Sequence, residues 1–401
     1  MALCPLLSAQ AGPAKAQNQP APAPAAAGGA GSSAPISVDL SFGGEVKVDI
    51  MFTDTGYGEG TVYVFDYALL PGAIPIDPAN KNRNVTMTAR ESRLWFKNLL
   101  TTPRGVVKSY VEADFLGFDS GLGNERTSNP SSLRLRHAYG SFGGLLVGQT
   151  WSTWMDLPSL HEVMGLGGPA GLIFARQAQI RYTHKIPSIG GEVQFALENP
   201  ETTLTAPDGT RVTPSDDFVP DTIIKFSKKL PWGHVAIAGM GRALRADSAT
   251  PESVGEDDLQ FGFGARLSGK IAVGAKHNLK YDFTYGRGIG RYISLNSYND
   301  GELAMDGSVE LIDIVAGVVA AQVWFSEDAR FALIGSFAQA LNNSEEFATS
   351  NKRTITGEAN IMWNVVDSVR FGIEYVFGRR TLENDAEGDM HRVHTSMRYK
   401  F

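Results

Sequence analysis

The chain has 401 residues, a single cysteine, a formal net charge of -7 and a mean hydropathy of -0.13. Because Cys4 is alone, neither a disulfide framework nor a cysteine-based metal site is expected, and the acidic balance argues against general nucleic-acid binding. No stretch reaches the roughly 18 uninterrupted apolar residues of a transmembrane helix; residues 314–325 come nearest and contain Gln322. Membrane-spanning β-strands are not excluded, because only alternate residues of such strands face lipid.

The N-terminal segment differs in composition from the rest of the chain. Residues 1–11 are apolar and end in small residues, but no Lys or Arg precedes them, so we interpret them as the remnant of a signal peptide. Residues 12–38 are rich in Ala, Pro, Gly and Gln and predict a disordered linker, because they cannot bury a core. Residues 39–401 consist of amphipathic stretches of about ten residues, the length that spans a bilayer as a tilted strand.

These stretches alternate apolar and polar residues. Residues 107–115, 354–365 and 369–377 place apolar side chains on one face, while Lys108, Glu112, Arg370 and Glu374 fall on the other. Successive side chains of a β-strand point to opposite faces, and the helical spacing of three and four explains none of these patterns.

The predicted connections alternate between tight turns and long, polar loops. Seven turns and eight loops join sixteen strands, which predicts a transmembrane antiparallel β-barrel with its long loops at one end. A barrel of this size encloses a lumen, and it closes on itself because hydrocarbon leaves no partner for a free strand edge. The strand within residues 309–325 is the least regular. The turns lie at 101–105, 142–144, 187–191, 230–233, 272–276, 326–328 and 366–368, and the loops near 54–84, 118–130, 151–175, 200–217, 247–256, 289–307, 341–351 and 381–389.

The last strand resembles the C-terminal signal of bacterial outer-membrane barrels. Val393, Thr395, Met397, Tyr399 and Phe401 share one face, and polar or basic residues alternate with them. The resemblance implies that Tyr399 and Phe401 form an assembly signal read by the barrel-assembly machinery. It also implies contact with outer-membrane lipid in a Gram-negative bacterium.

Several segments resemble the DcaP-like porins of Gram-negative bacteria. They are FGGEVKVD (42–49), ARESRLWF (89–96), TPRG (102–105), YVEADFLG (110–117), LRLRHAY (133–139) and LVGQTWSTWMD (146–156). The resemblance covers most of residues 40–401 and is strongest over 85–156. It implies a homotrimeric, sixteen-stranded channel for small, often anionic solutes such as dicarboxylates. It does not extend to the heptad-bearing segment that precedes the barrel in many family members, because residues 12–38 contain no heptads.

Residues 151–175 follow the fifth strand, where trimeric porins fold their third external loop into the barrel as a constriction. Asp156 and Pro158 predict a short helix that runs through Glu162 to a stop at Gly165. An ordinary surface loop is the alternative.

Five cations fall on the polar phase of strands two, four and six, beside the start of this loop. The phase follows if Leu94, Phe96, Leu133, Leu135, Ile180 and Tyr182 face lipid. A cationic ladder on one wall selects for anions, whereas charges on both walls leave no net preference, and Glu91, Glu112 and Asp114 would offset the ladder. The predicted ladder is Arg93, Lys97, Arg134, Arg136 and Arg181, and Gln149, Asp156, Ser159 and Glu162 complete the predicted pore-lining set.

These features predict a porin, a passive diffusion channel for small hydrophilic solutes. An outer-membrane hydrolase built on the same kind of barrel and a structural or adhesin barrel with a blocked lumen are the alternatives. No Ser/His/Asp set or carboxylate pair stands out, and no cofactor is expected. His391 and His394 lie on opposite faces of a strand, so they are not expected to share a metal.

Overall fold

The computed structural model describes residues 36–56, 67–76, 82–117, 129–214, 217–246, 258–304, 307–341 and 347–401. The predicted signal-peptide remnant and the linker up to residue 35 lie outside these ranges. Within them, one closed antiparallel sheet forms a sixteen-stranded barrel, as the sequence predicts. The sheet contains 17 segments because the second strand is interrupted at residues 89–92.

The barrel closes by pairing its first and last strands, from Glu45 opposite Lys400 to Asp54 opposite His391. The first strand begins at Ser37 rather than at residue 39. In chain order the strands are β1 Ser37–Gly56, β2a Asn82–Thr88, β2b Arg93–Thr102, β3 Gly105–Gly117, β4 Ser132–Phe142, β5 Leu145–Trp151, β6 Arg176–Ile186, β7 Gly191–Glu198, β8 Asp221–Leu230, β9 Gly233–Ala246, β10 Asp258–Val273, β11 His277–Arg287, β12 Asp313–Trp324, β13 Ala329–Leu341, β14 Asn351–Val366, β15 Val369–Leu382 and β16 Glu387–Lys400.

Short elements occur in the loops. Ala68–Leu69 pairs in parallel with Leu166–Gly167, and a small sheet joins Leu204–Thr205, Arg211–Val212, Gly301–Leu303 and Val309–Leu311. The 3-10 helices are Pro71–Ala73, Leu157–Ser159 and Gly290–Tyr292. Among the described residues, no helix is long and apolar enough to cross a membrane.

The two faces of each strand differ as the alternation predicts. On β15, Phe371, Ile373 and Tyr375 are 43–45% exposed on the outer face, while Glu374 and Val376 are buried on the inner face. Each strand pairs with its neighbours and the first strand pairs with the last, so the sheet has no free edge, as a β-structure in hydrocarbon requires. An apolar outer face and a polar inner face therefore follow from one period-two pattern.

All seven predicted tight turns join consecutive barrel strands in the structure. Gly143 and Gly274 have φ angles of 59° and 61°, in the left-handed region where a side chain is strained. The long connections lie at the other end of the barrel, because antiparallel strands alternate in direction. The asymmetry between turns and loops is thereby confirmed for the described residues.

The least regular predicted strand, within residues 309–325, is divided into two segments in the structure. Val309–Leu311 belongs to the loop sheet, and β12 begins at Asp313. β12 is apolar on both faces because Ile314, Ala316 and Val318 pack inside the barrel, while Val319 is exposed on the outer face.

Epitope tags test this topology on intact cells. A tag at Gly209, in a long loop, should be accessible to antibody, and a tag at Asp367, in a tight turn, should be accessible only after the cells are opened. Asn343, in the predicted loop near 341–351, is a second position for an external tag and lies outside the described residues. Accessibility of the Asp367 tag with a hidden Gly209 tag would reverse the assigned orientation.

The C-terminal residue pairs with the first strand. The Phe401 N–H donates to the Gly44 carbonyl and the Gly44 N–H donates to the Phe401 carbonyl, both at 3.1 Å. The rings of Tyr399 and Phe401 stack with centroids 6.3 Å apart, and both side chains are exposed on the outer face. These aromatic groups are therefore available to a partner that reads the strand end, although their role in assembly stays a prediction.

Replacing Phe401 with Ser should lower the amount of heat-modifiable, folded barrel in the outer membrane. The substitution removes the terminal aromatic side chain but keeps the backbone pairing with Gly44. Phe142→Ser is a matched control, because Phe142 is also exposed on the outer face. Equal amounts of folded protein in wild type and Phe401→Ser would refute the assembly role.

Candidate channel lumen and constriction

The loop between β5 and β6 lies inside the barrel, as predicted. Side chains from the wall donate to its carbonyl groups: Lys47 Nζ to Met164 at 2.6 Å, Lys225 Nζ to Met155 at 2.7 Å and Asn360 Nδ2 to Glu162 at 3.0 Å. Wall carboxylates and hydroxyls accept from its N–H groups, with Leu166 bound to Glu91, Met164 to Glu374, Ala170 to Thr356 and Gly171 to Ser336. Because these partners come from strands all around the barrel, the loop crosses the lumen.

The predicted helix within this loop does not form. Only Leu157–Ser159 is helical, as one 3-10 turn, and Asp156 makes no capping hydrogen bond. The Asp156 carboxylate instead bonds His234 Nε2 at 2.9 Å and accepts from Ser268 Oγ at 3.0 Å. A helix satisfies its backbone internally, but here the wall side chains satisfy it, so an extended path costs no hydrogen bonds.

An apolar cluster inside the barrel holds the loop in place. Trp154, Met155 and Ile173 pack with Tyr292 and Ile293 of the loop between β11 and β12, and all five are at most 2% exposed. Ile173 and Ile293 also form an isolated backbone bridge. The hydrophobic core therefore lies within the lumen, between two loops and the inner faces of neighbouring strands.

A buried ionic network anchors the second of these loops. Arg242 on β9 donates to Asp300 at 2.6 Å and to Asp221 at 3.1 Å, and the Tyr292 hydroxyl donates to Asp221 at 2.7 Å. Buried carboxylates need such partners, because an unpaired charge in the interior is costly. This network could not be predicted from the sequence, since its members are separated by long stretches of chain.

Three members of the predicted cationic ladder are locked in ion pairs. Arg93 pairs with Glu45 at 2.9 Å, Arg134 with Asp114 at 2.6 Å, and Arg136 with Glu112 at 2.5 Å and Asp114 at 2.8 Å. These cations are offset locally. The offset by Glu112 and Asp114 that the sequence suggests is therefore present for Arg134 and Arg136, and Glu45 offsets Arg93.

The phase of the ladder strands was predicted correctly. Leu94, Phe96, Leu133, Leu135, Ile180 and Tyr182 are 46–64% exposed on the outer face. Lys97 is half-buried on the inner face, opposite the buried Tyr110. Arg181 is half-buried on the inner face of β6, and its Nε atom has no hydrogen-bond partner.

Two other predicted pore-lining residues do not face open space in the lumen. Gln149 has the phase of the exposed Val147 and pairs with the exposed Ala178, so it lies on the outer face, where Nε2 donates to the Leu135 carbonyl. Ser159 is buried, and its hydroxyl donates to the Asp156 carbonyl at 2.8 Å. The structure therefore places Gln149 outside the lumen, contrary to the prediction that it lines the pore. Ser159 stabilises its own loop.

Glu162 places a carboxylate in the constriction, where it forms ion pairs with arginines of the barrel strands. It accepts from Arg370 at 3.0 Å and from Arg330. Burial alone would raise the pKa of the Glu162 carboxyl, but the charges of Arg330 and Arg370 outweigh burial and lower the pKa to about 2. Glu162 is therefore ionised at neutral pH and offset by two cations.

A cavity of about 550 Å³ beside the start of the constriction loop is lined by five Lys or Arg residues, of which only Arg181 was predicted from the sequence. Lys228 has the outward phase of Ile224 on its strand, and the other four lie on the inner face. We call Arg181 and Lys185 on β6 and Lys225 and Lys229 on β8 the basic wall. Within the described part of the chain, none of the four forms an ion pair. The available signal was the even spacing of Lys225 and Lys229, which places both on the face of β8 opposite to the exposed Ile224 and the outward Phe226.

The carboxylates around this cavity are fewer. They are Asp156, which is bonded to His234 and Ser268, and Glu192, which accepts from Ser227 at 3.5 Å. The basic wall thus leaves a net positive charge beside the loop. A fixed cationic wall at close quarters favours the entry of anions.

The side chains of Asp156, His234 and Ser268 meet in the structure, but they are not in the order of a catalytic triad. His234 and Ser268 both bond Asp156, so the histidine does not lie between a nucleophile and a carboxylate. His394 is buried against Asp49, whereas His391 bonds Tyr375 on the outer face, as their spacing predicts. In the same part of the chain, no group of three or more His, Cys, Asp or Glu side chains is placed to hold a metal.

A sixteen-stranded barrel with a polar lumen and an in-folded loop defines the class of outer-membrane channel proteins. Solved structures share this fold. The outer membrane channel DcaP of Acinetobacter baumannii matches with a TM-score of 0.76 and 20% identity, over 91% of this chain and 97% of that one. The trimer form of OmpT of Vibrio cholerae gives 0.57 and 14%, over 91% and 100%. OmpF of Salmonella typhi, in complex with daunomycin, gives 0.53 and 11%, over 91% and 97%.

The chain belongs to the DcaP outer membrane protein family, whose model matches residues 27–401. The family and the outer-membrane location that the sequence predicts are thereby confirmed. A comparison with curated proteins gave no match.

Proposed function

We propose that this protein is a porin, a passive diffusion channel for small hydrophilic solutes that favours small anions such as dicarboxylates. It performs no chemistry on the solute. The loop between β5 and β6 narrows the lumen, and the basic wall beside it concentrates anions at the narrow part.

The basic wall is the single observation that carries the anion preference. Arg181, Lys185, Lys225 and Lys229 line one cavity, whereas Arg93, Arg134 and Arg136 are offset by carboxylates. Screening acts over about 8 Å at physiological ionic strength, so a solute in a narrow passage lies within reach of these charges. Dicarboxylates suit several separated cations, because each carboxylate can meet its own partner.

Uptake into liposomes that contain the folded protein tests the proposal. Labelled succinate should enter faster than 1,4-diaminobutane, a dication of similar length, and liposomes without protein should take up neither. Equal rates for the two solutes would remove the anion preference and leave the channel. Uptake of neither solute would mean that the loops block the lumen, as in a structural barrel.

We also propose that three copies assemble through the side of the barrel where the strands are shortest. β5 and β7 have 7 and 8 residues, whereas β10 and β14 have 16 each. The outward Gln149 on β5 suits a protein contact better than lipid, because an amide in hydrocarbon is costly. The fold shared with the trimer form of OmpT of Vibrio cholerae supports the same assembly.

A further inference from the structure

A second cavity, of about 290 Å³, lies at the end of the barrel that carries the long loops. Its walls come from the loops after β1, β7, β11 and β13 and from the ends of β14 and β15. The side chains that line it include Arg211, Arg380, Asn296, Asn299 and Asn351, and no lining residue is a carboxylate. The cavity is therefore polar and basic, and it is separate from the basic wall.

Neutral groups hold Arg211 in place. Its Nε donates to Asn299 Oδ1 at 2.6 Å, and its Nη2 donates to the Asn296 carbonyl at 2.8 Å. Asn299 is itself oriented by donating to Thr205 Oγ1 at 2.7 Å. Amide oxygens orient a guanidinium without cancelling its charge, so Arg211 keeps a net positive charge at the cavity.

The carboxylate that acts on Arg211, that of Asp300, is already hydrogen-bonded to other residues. Asp300 acts on Arg211 electrostatically, but its carboxylate accepts from Arg242 at 2.6 Å and from the Arg291 N–H at 3.0 Å. It is fully buried and does not line the cavity. A ligand in the cavity therefore meets the guanidinium and not this carboxylate.

The turn that contacts Arg211 contains strained backbone. Ser294, Leu295 and Asn296 have φ angles of 44°, 58° and 61°, three consecutive non-glycine residues in the left-handed region. Such residues are strained and persist where the surroundings require them. Here the turn presents the Asn296 carbonyl to Arg211.

Asn351 completes the wall by joining two loops. Its Nδ2 donates to the Ser297 carbonyl at 2.7 Å and to the Gly72 carbonyl at 3.0 Å, and its Oδ1 accepts from Arg380 Nε at 2.5 Å. The cavity is consequently pre-formed by cross-links between loops, and ligand binding requires little further ordering.

We propose that this cavity is an external recognition site for a small carboxylate, which Arg211 and the surrounding amide and hydroxyl groups bind before the solute enters the lumen. The choice of solute rests on the proposed channel function, but binding here can be measured without conduction. Capture at the mouth raises the local concentration of solute at the entrance, which matters most when the solute is dilute.

Calorimetric titration of the folded, full-length protein with succinate tests the proposal. Arg211→Gln should weaken binding about tenfold, the loss expected for one charge-assisted hydrogen bond. Arg353→Gln is the matched control, because Arg353 is exposed at the same end of the barrel and does not line the cavity. The comparison is repeated in Lys185→Gln/Lys229→Gln, where any contribution of the basic wall is reduced and the effect of Arg211→Gln should persist.

Several results would overturn the proposal. They are no saturable binding to wild type, equal affinity in wild type and Arg211→Gln, or equal affinity for succinate and for succinamide, its neutral diamide. Failure of the anion preference in liposomes would refute the proposed function but leave this binding result intact. The two proposals therefore fail separately.

Discussion

Shortening the constriction loop, by replacing residues 157–171 with a short Gly–Ser linker, should raise single-channel conductance roughly twofold or more, because the loop occupies the cross-section through which ions pass. The wall groups that now bond the loop, such as Lys47, Glu91 and Glu374, would be hydrated by the water that replaces it. Conductance in planar bilayers at high salt, where charge effects are screened, measures the change in free cross-section.

The truncated protein must still fold for this result to count. Heat-modifiable migration of the barrel before and after boiling provides that control. An unchanged conductance in folded, truncated protein would mean that another segment sets the narrowest point, and the loop would lose its assigned role.

The double substitution Lys185→Gln/Lys229→Gln should lower the anion-to-cation permeability ratio by about twofold or more, since it removes half of the basic wall. Both side chains are exposed within the cavity and neither forms an ion pair in the described structure, so the fold should persist. The effect should grow at low salt, because screening is weaker there. The reversal potential in a salt gradient measures it.

The matched control is Arg104→Gln/Arg353→Gln, which makes the same change in charge away from the lumen. Arg104 lies in the turn between β2b and β3, and both side chains are exposed. A similar shift in both double variants would mean that net charge acts generally, and the basic wall would have no special role.

The strands and turns could be predicted because the barrel imposes a local rule. A strand with one face in lipid alternates with period two, as Phe371, Ile373 and Tyr375 show, and a tight turn needs left-handed residues such as Gly143. The last strand could be predicted for the same reason. The position of the constriction loop followed from the strand count and from the resemblance to a known family.

The charge pattern of the lumen could not be predicted in the same way. Alternation assigns a face to Arg134 and Arg136, but only register between strands shows that Asp114 and Glu112 lie beside them. A register shift near Glu112 also turns both Arg136 and His137 inward, where both are buried. Strand register depends on contacts across the sheet, which one sequence does not display.

The extended path of the constriction loop could not be predicted for a different reason. Asp156 and Pro158 are suited to start a helix, but the lumen offers Asp156 two stronger partners, His234 and Ser268. The prediction used helix propensity, which tertiary contacts override when they satisfy the backbone. Of the basic wall only Arg181 was predicted, because its strands, β6 and β8, flank the loop entrance only in the folded barrel.

The reversal potential of the unmodified protein tests the central claim most directly. A planar bilayer that separates two concentrations of KCl reports the relative permeability of chloride and potassium. If the basic wall governs the lumen, the sign of the potential will be that of an anion-selective channel, and the selectivity will increase as salt is lowered. A potential of the opposite sign, that of a cation-selective channel, would contradict the proposed function.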